Sequence, residues 1–316
     1  MMEFIKDYPE HVERAFSLSP KIKLRKNIDK IVVGGMGGSA ISGDILKNCL
    51  EDEANIPIFV IRDYELPKFA DKKTLVLLIS YSGNTEESLY MLEDAKKKGC
   101  QIVLLTSGGK FAEKNYPIIK VPEGLLPRVA LPYLFFPLLK LLQENGIIKK
   151  KNSEVKEVSS VIKSFDFGLA QRIAKKFFKR TPVLYGPEKY RCALYRWVTQ
   201  INENSKKFAH LNCFTEMNHN EIVSDFRDNK DIFAVMISDE KIHKRIKIHM
   251  RLAKEILSNE IELMEVETKG KSLLARIFYV IYLGDLVSYY LADLRKVDPN
   301  ETKNIKIIKK GLKCSR

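Results

Sequence analysis

Apolar and polar residues alternate along the chain in blocks that read as strands and helices in turn. Runs of strand length rich in apolar residues fall at 31–34, 56–61, 75–79, 101–106 and 118–121, and 75–79 is apolar throughout. Runs that are apolar at every position suit parallel strands covered on both faces, not strands with one wet side. Helical patterns stand between them, at 45–50 and 88–98, and a very apolar helix interrupted by prolines begins at Pro127. The second half repeats this order. Strands are expected at 181–186, 232–238 and 261–266, and helices at about 189–200, from 238 to 257, and at 273–294. Residues 1–28 read as a helical arm, and the charged stretch 149–157 as a linker. The pattern therefore predicts an α/β protein with two tandem doubly wound parallel sheets, one in residues 1–150 and one in 151–316.

Two loops break the pattern in ways that suggest chemistry. Leu75 to Ile79 runs into Ser80-Tyr-Ser82-Gly83-Asn84-Thr85-Glu86-Glu87. Thr85 followed by two glutamates marks a helix start. Ser80, Ser82 and Thr85 thus gather at the carboxyl end of a strand, opposite a helix N-terminus, where open α/β sheets hold ligands and free N–H groups attract anions. Hydroxyls add hydrogen-bond donors there without adding charge. The plainer alternative is an ordinary strand–turn–helix connection in which these side chains only cap. The earlier loop, Gly34-Gly-Met-Gly-Gly38-Ser39, would let a ligand approach the backbone closely. It is not G-x-G-x-x-G and no acidic residue is placed to read a ribose, so a nicotinamide site is not expected.

The second half differs at the matching places. Ser238 is followed by Asp239 and Glu240, which would repel an anion, and Pro187 follows Gly186 directly, without a glycine run. It carries instead Asn202-Glu203-Asn204-Ser205-Lys206, at the end of an amphipathic helix, and Asn218-His219-Asn220-Glu221 in a polar loop. Taken singly, Glu203 could be a solvated helix end and His219 an exposed loop residue.

Charge and cysteines narrow the function classes. The chain has 316 residues with 54 Lys and Arg against 40 Asp and Glu, a net +14. The basic residues are spread in pairs and triplets with no interleaved aromatics, so no nucleic-acid partner is expected, and a diffuse positive field favours a small anion. Five scattered cysteines fit reduced thiols and a cytoplasmic setting. The N-terminus has no apolar centre to mark it as a secretory leader, and no apolar run reaches about 18 residues, so no membrane span is expected. The segment nearest to one, residues 277–292, carries Gly284 and Asp285 and suits a buried helix. His210, Cys213 and His219 lack a fourth ligand and match no common zinc spacing, so neither metal nor cofactor is expected.

Five segments carry a family resemblance. Residues 79–87 resemble the signature loop of sugar isomerase (SIS) domains, which bind phosphosugars. Together with Gly35–Asp44, Pro127-Arg128, Asn202–Lys206 and Asn218–Glu221, in that order, the chain resembles the bifunctional phosphoglucose/phosphomannose isomerases of archaea and some bacteria. That resemblance implies two SIS (flavodoxin-like) domains, the N-terminal one carrying the phosphate-binding loop. Ser80, Ser82 and Thr85 would hold the phosphate, and Gly38 and Ser39 would border the sugar. Glu203 would carry a proton between C1 and C2 through an enediolate, and Arg128 would stabilise the oxygen charge that develops. His219, supplied by the other subunit of a homodimer, would act in ring opening, assisted by a C-terminal lysine, Lys309 or else Lys310. The implied reaction interconverts fructose 6-phosphate with glucose 6-phosphate and mannose 6-phosphate, without metal or redox cofactor. A non-catalytic phosphosugar-binding regulator is the rival reading. It would have no need of Glu203, and no helix-turn-helix extension is visible.

Overall fold

The computed structural model describes residues 2–18, 21–226 and 231–314. The N-terminal arm is helical in α1 (Met2–Lys6) and α2 (Tyr8–Ser17) but not across 21–28. Residues 1, 19 and 20 of that expected arm lie outside the described residues, as do 227–230 and 315–316 of the second half. Then follow β1 (Lys30–Gly34), α3 (Gly38–Leu50), β2 (Ile58–Ile61), β3 (Thr74–Ile79), α4 (Glu86–Lys97), β4 (Gln101–Thr106), α5 (Gly109–Ala112), β5 (Ile118–Lys120) and α6 (Leu131–Glu144). The strands form one parallel sheet in the order β2-β1-β3-β4-β5. Every residue of β3 is buried, as its unbroken apolar run requires. Val76 and Leu78 pack with Met91, Leu92 and Ala95 of α4 and with Leu104 of β4.

The second sheet is built the same way. After α7 (Asn152–Lys163) and α8 (Phe167–Phe178) come β6 (Thr181–Pro187), α9 (Arg191–Ser205), β7 (His210–Phe214), β8 (Ile232–Ser238), α10 (Lys244–Leu257) and β9 (Glu262–Glu267), then α11 (Leu273–Leu294) and α12 (Lys303–Cys314). Its parallel order, β7-β6-β8-β9, repeats β2-β1-β3-β4. Ala234 and Met236 of β8 pack with Met250, Ala253 and Leu257 of α10. The chain forms two compact units. The first comprises Met1–Phe165, Lys189–Arg196 and Thr268–Tyr282, and the second Asp166–Glu188, Trp197–Glu267 and Leu283–Arg316.

The segment expected to be a linker is ordered structure. Residues 152–157 open α7, whose Val155, Val158 and Ile162 are buried. Lys151 is only 7% exposed. Its ammonium lies 2.5 Å from Glu53 and 2.7 Å from Glu154. Burial of a lysine on these terms requires such partners. In α11, 78% of the most apolar window is buried within the protein, although its length and composition alone would let it cross a bilayer. Gly284 allows that packing: a Cβ there would fall 2.2 Å from the indole of Trp197, which has no exposed surface.

Candidate active site

In the first sheet, α3 leads from β1 outward to β2, while α4 leads from β3 the other way to β4. The order of strands reverses between β1 and β3, and such a point leaves a crevice at their carboxyl ends. Pairing of Gly34 with Leu78 sets the two loops side by side. Glycine is needed for this approach, since a Cβ on Gly35 would lie 2.9 Å from the Ile79 carbonyl oxygen.

The hydroxyl loop has an internal order that the sequence does not reveal. Ser80 is 1% exposed, and its Oγ donates to Thr85 Oγ1 at 2.9 Å. Thr85 is the N-cap of α4 but makes no side-chain cap bond. With its oxygen accepting from Ser80, Thr85 keeps its own hydroxyl proton to donate. Ser82 is exposed, and its Oγ accepts from the Asn84 N–H at 3.3 Å. The loop is held from below by residues that sequence reasoning passed over. The hydroxyls of Ser107 (2.7 Å) and Thr106 (3.3 Å) donate to the Tyr81 carbonyl. The Tyr81 phenol donates to the Pro122 carbonyl at 2.9 Å and accepts from Leu125 N–H at 2.7 Å. Gly83, at φ +66°, passes so near Gly108 that a Cβ would meet its carbonyl oxygen at 1.8 Å.

Arg128 stands beside the other loop. A Cβ on Gly38 would sit 3.4 Å from the Pro127 carbonyl oxygen and 3.9 Å from Arg128 Cα. Arg128 is buried, as is Ser39, and the Arg128 carbonyl accepts from Arg196 Nη2 at 2.8 Å. The first unit therefore brings Gly38, Ser39 and Arg128 together at one loop and Ser80, Ser82 and Thr85 at the adjoining one.

The second unit holds Glu203, His219, Lys309 and Lys310. Glu203 is half-buried on the last turn of α9. The turn is fixed by Asn204, whose Nδ2 donates to Gln200 Oε1 (3.0 Å) and Ser288 Oγ (2.9 Å). Glu203 lines an open cavity of about 400 Å³ with Lys206, Glu301 and Thr302. Lys309 and Lys310 are exposed on α12, which also exposes Ile305, Ile308 and Leu312 along one face. At the carboxyl end of β8, Asp239 is buried and accepts from the Lys241 N–H at 2.8 Å. Carboxylates thus occupy the place that hydroxyls hold in the first sheet.

His219 closes a 3-10 turn, Glu216–His219, that follows β7, and it is exposed. Its neighbours are tied down. Asn218 Nδ2 meets His249 Nδ1 at 3.1 Å and its carbonyl at 3.3 Å. Glu221 Oε1 accepts from the Tyr185 phenol at 2.6 Å, and Oε2 accepts from Asn212 Nδ2 at 2.7 Å and meets His210 Nε2 at 3.1 Å. Burial pushes the Glu221 carboxyl upward, but the bonds from His210, Tyr185 and Asn212 outweigh it and hold the pKa below the ordinary value. The same bond to Glu221 raises His210 against its partial burial. Burial, with the adjacent carboxylate, pushes the Tyr185 phenol well up.

The topology separates Glu203 from His219. β6 and β7 are parallel, so α9 between them must run back from the carboxyl rim of the sheet to its amino rim. Its 15 residues climb about 22 Å. Glu203 stands at the far end of that climb, whereas His219 follows the carboxyl end of β7. Within one chain the two residues lie at opposite rims of the second sheet.

Comparison with known proteins accounts for both halves. The SIS domain family matches residues 23–118, and the bacterial phospho-glucose isomerase C-terminal SIS domain matches 168–312. A bifunctional phosphoglucose/phosphomannose isomerase of Caldicellulosiruptor bescii is 40% identical over 99% of this chain and 98% of its own length. The chain belongs to the bifunctional phosphoglucose/phosphomannose isomerase family. Another member of the family, from Thermoplasma acidophilum, is 39% identical over 89% of each chain. In fold the isomerase chain also resembles a glucosamine-6-phosphate deaminase of Thermotoga maritima, with a TM-score of 0.74 over 95% of this chain and 96% of that one at 17% identity. The SIS match takes in the hydroxyl loop, and the C-terminal match takes in Glu203, Glu221 and His219.

Proposed function

We propose that the chain interconverts fructose 6-phosphate with glucose 6-phosphate and mannose 6-phosphate in the cytoplasm. The observation that carries this reading is the rigid, uncharged Ser80–Thr85 loop at the switch point of the first sheet, in a member of this family. Thr85 and Ser82 present hydroxyl donors to the phosphate, Ser80 supports Thr85, and the N-terminus of α4 adds its dipole. Gly38 and Ser39 border the sugar. Glu203 takes the proton from C2 of the aldose and returns it to C1. The charge that appears on oxygen in the enediolate is stabilised by Arg128, whose burial strengthens its field. Glucose and mannose phosphates differ only at C2, which is planar in the enediolate, so one carboxylate serves both. No step requires a metal.

His219 acts as the acid–base group that opens the sugar ring, since one imidazole nitrogen can accept a proton while the other donates one, and Lys309 or Lys310 assists it. Its seat at the rim opposite Glu203 supports delivery from a second copy of the chain in a homodimer. The exposed aliphatic stripe of α12 supports the same assembly, because a stripe of this kind favours burial against a partner. The test is a coupled assay with glucose 6-phosphate and mannose 6-phosphate, with and without a chelator. Turnover of both sugars, unchanged by the chelator, is expected. Binding of both without turnover would overturn the enzymatic reading in favour of a phosphosugar sensor.

A further inference from the structure

We infer that Glu221 is a positioning residue that fixes the orientation of His219 and so controls the ring-opening step alone. The inference rests on the role proposed for His219. Glu221 lies two residues beyond His219, at the start of a second 3-10 turn, Glu221–Val223. Its side chain, 16% exposed, turns inward to β6 and β7. Both carboxylate oxygens are engaged by Tyr185, Asn212 and His210. Tyr185 has no exposed surface and pairs in register with Asn212 across the two strands, so two of the donors sit on a rigid frame. A carboxylate whose oxygens are directed into such a frame anchors the backbone that carries it and is not placed to touch a sugar.

The other side of His219 is anchored independently, by Asn218 on His249 of α10. The turn between the anchors is braced internally. Asn220 Nδ2 donates to Glu216 Oε1 at 2.7 Å, and Asn220 Oδ1 accepts from the Glu221 N–H at 2.6 Å. His219 is thus an exposed ring on a short turn pinned at both ends, which is how a flexible loop residue acquires a fixed direction. Beyond the Glu221 pin the chain is open, with Val223 84% exposed. Met217 is buried in the second core and Ile222 packs against it. Loss of Glu221 should therefore loosen the turn without unfolding the unit.

The experiment compares Glu221→Ala, Glu221→Gln and His219→Ala on two ketose phosphates. Fructose 6-phosphate is mostly ring-closed. Its 5-deoxy analogue lacks the hydroxyl that closes the ring and is always open-chain, so it bypasses His219. Glu221→Ala is expected to lower kcat on fructose 6-phosphate by about 10–100-fold, approaching His219→Ala, with KM within about twofold and turnover of the open-chain analogue kept. Glu221→Gln keeps an acceptor for one donor but turns its amide N–H toward another, so an intermediate rate is expected. Equal loss on both substrates in Glu221→Ala would reduce the residue to a structural one and overturn the inference. Loss in His219→Ala without loss in Glu221→Ala would overturn the positioning alone. Unimpaired fructose 6-phosphate turnover in His219→Ala would overturn both this inference and the role of His219.

Discussion

Glu203→Gln is expected to remove isomerase activity on all three hexose phosphates while leaving their binding within about twofold. Glutamine has the shape of glutamate and keeps a carbonyl oxygen, but it cannot take a proton from carbon. Positioned general bases typically contribute about 10²–10⁴-fold, and each tenfold corresponds to about 1.4 kcal/mol of barrier. We expect kcat to fall by at least about 10³-fold, at the upper part of that range, because the proton leaves carbon. The fold should tolerate the change. The end of α9 is held by Asn204, Ser205 and Ile201, all buried, whereas Glu203 faces an open cavity. Two measurements check this: kcat with glucose, mannose and fructose 6-phosphates, and exchange of the C2 hydrogen with deuterated solvent. Both should vanish together. Retained turnover on either aldose would exclude Glu203 as the base.

Ser80→Ala combined with Thr85→Ala should raise KM for every substrate by about 10²-fold with kcat changed only a few-fold. A hydrogen bond to a charged group is worth about 1.5–3 kcal/mol, and uniform binding lost from ground and transition states appears in KM. The geometry also predicts how the two changes combine. Ser80 gives its proton to Thr85, so the pair acts as one donor with a support. The double variant should then cost little more than Thr85→Ala alone, because residues in one hydrogen-bonded unit are not additive. Competitive inhibition by inorganic phosphate should weaken in parallel. An unchanged KM would move the phosphate elsewhere.

Much of the architecture was legible because buried parallel strands need unbroken apolar runs. The segments 101–106, 232–238 and 273–294 coincide with β4, β8 and α11. β7 escaped notice because His210-Leu-Asn-Cys-Phe214 is an edge strand with a partly wet face, and its alternation is too short to stand out. α7 was hidden by a charged first turn, although Val155, Val158 and Ile162 recur at helical spacing. The hydroxyl loop could be found because its residues are adjacent. The mount of Glu221 could not, since Tyr185 lies 36 positions upstream and no local pattern joins it to a carboxylate in a loop. Arg128 could be judged desolvated from the apolar helix behind it, and it is buried. Its neighbour Arg196 lies 68 positions away and left no sign.

The distance that α9 puts between Glu203 and His219 has a kinetic corollary. If both residues serve one sugar, a solitary polypeptide cannot complete the cycle on a closed ring. Specific activity toward cyclic substrates should then fall on dilution, as association reverses, while turnover of an open-chain analogue should fall less. Catalytic competence would belong to the encounter of two chains, and the rate would report how many have met.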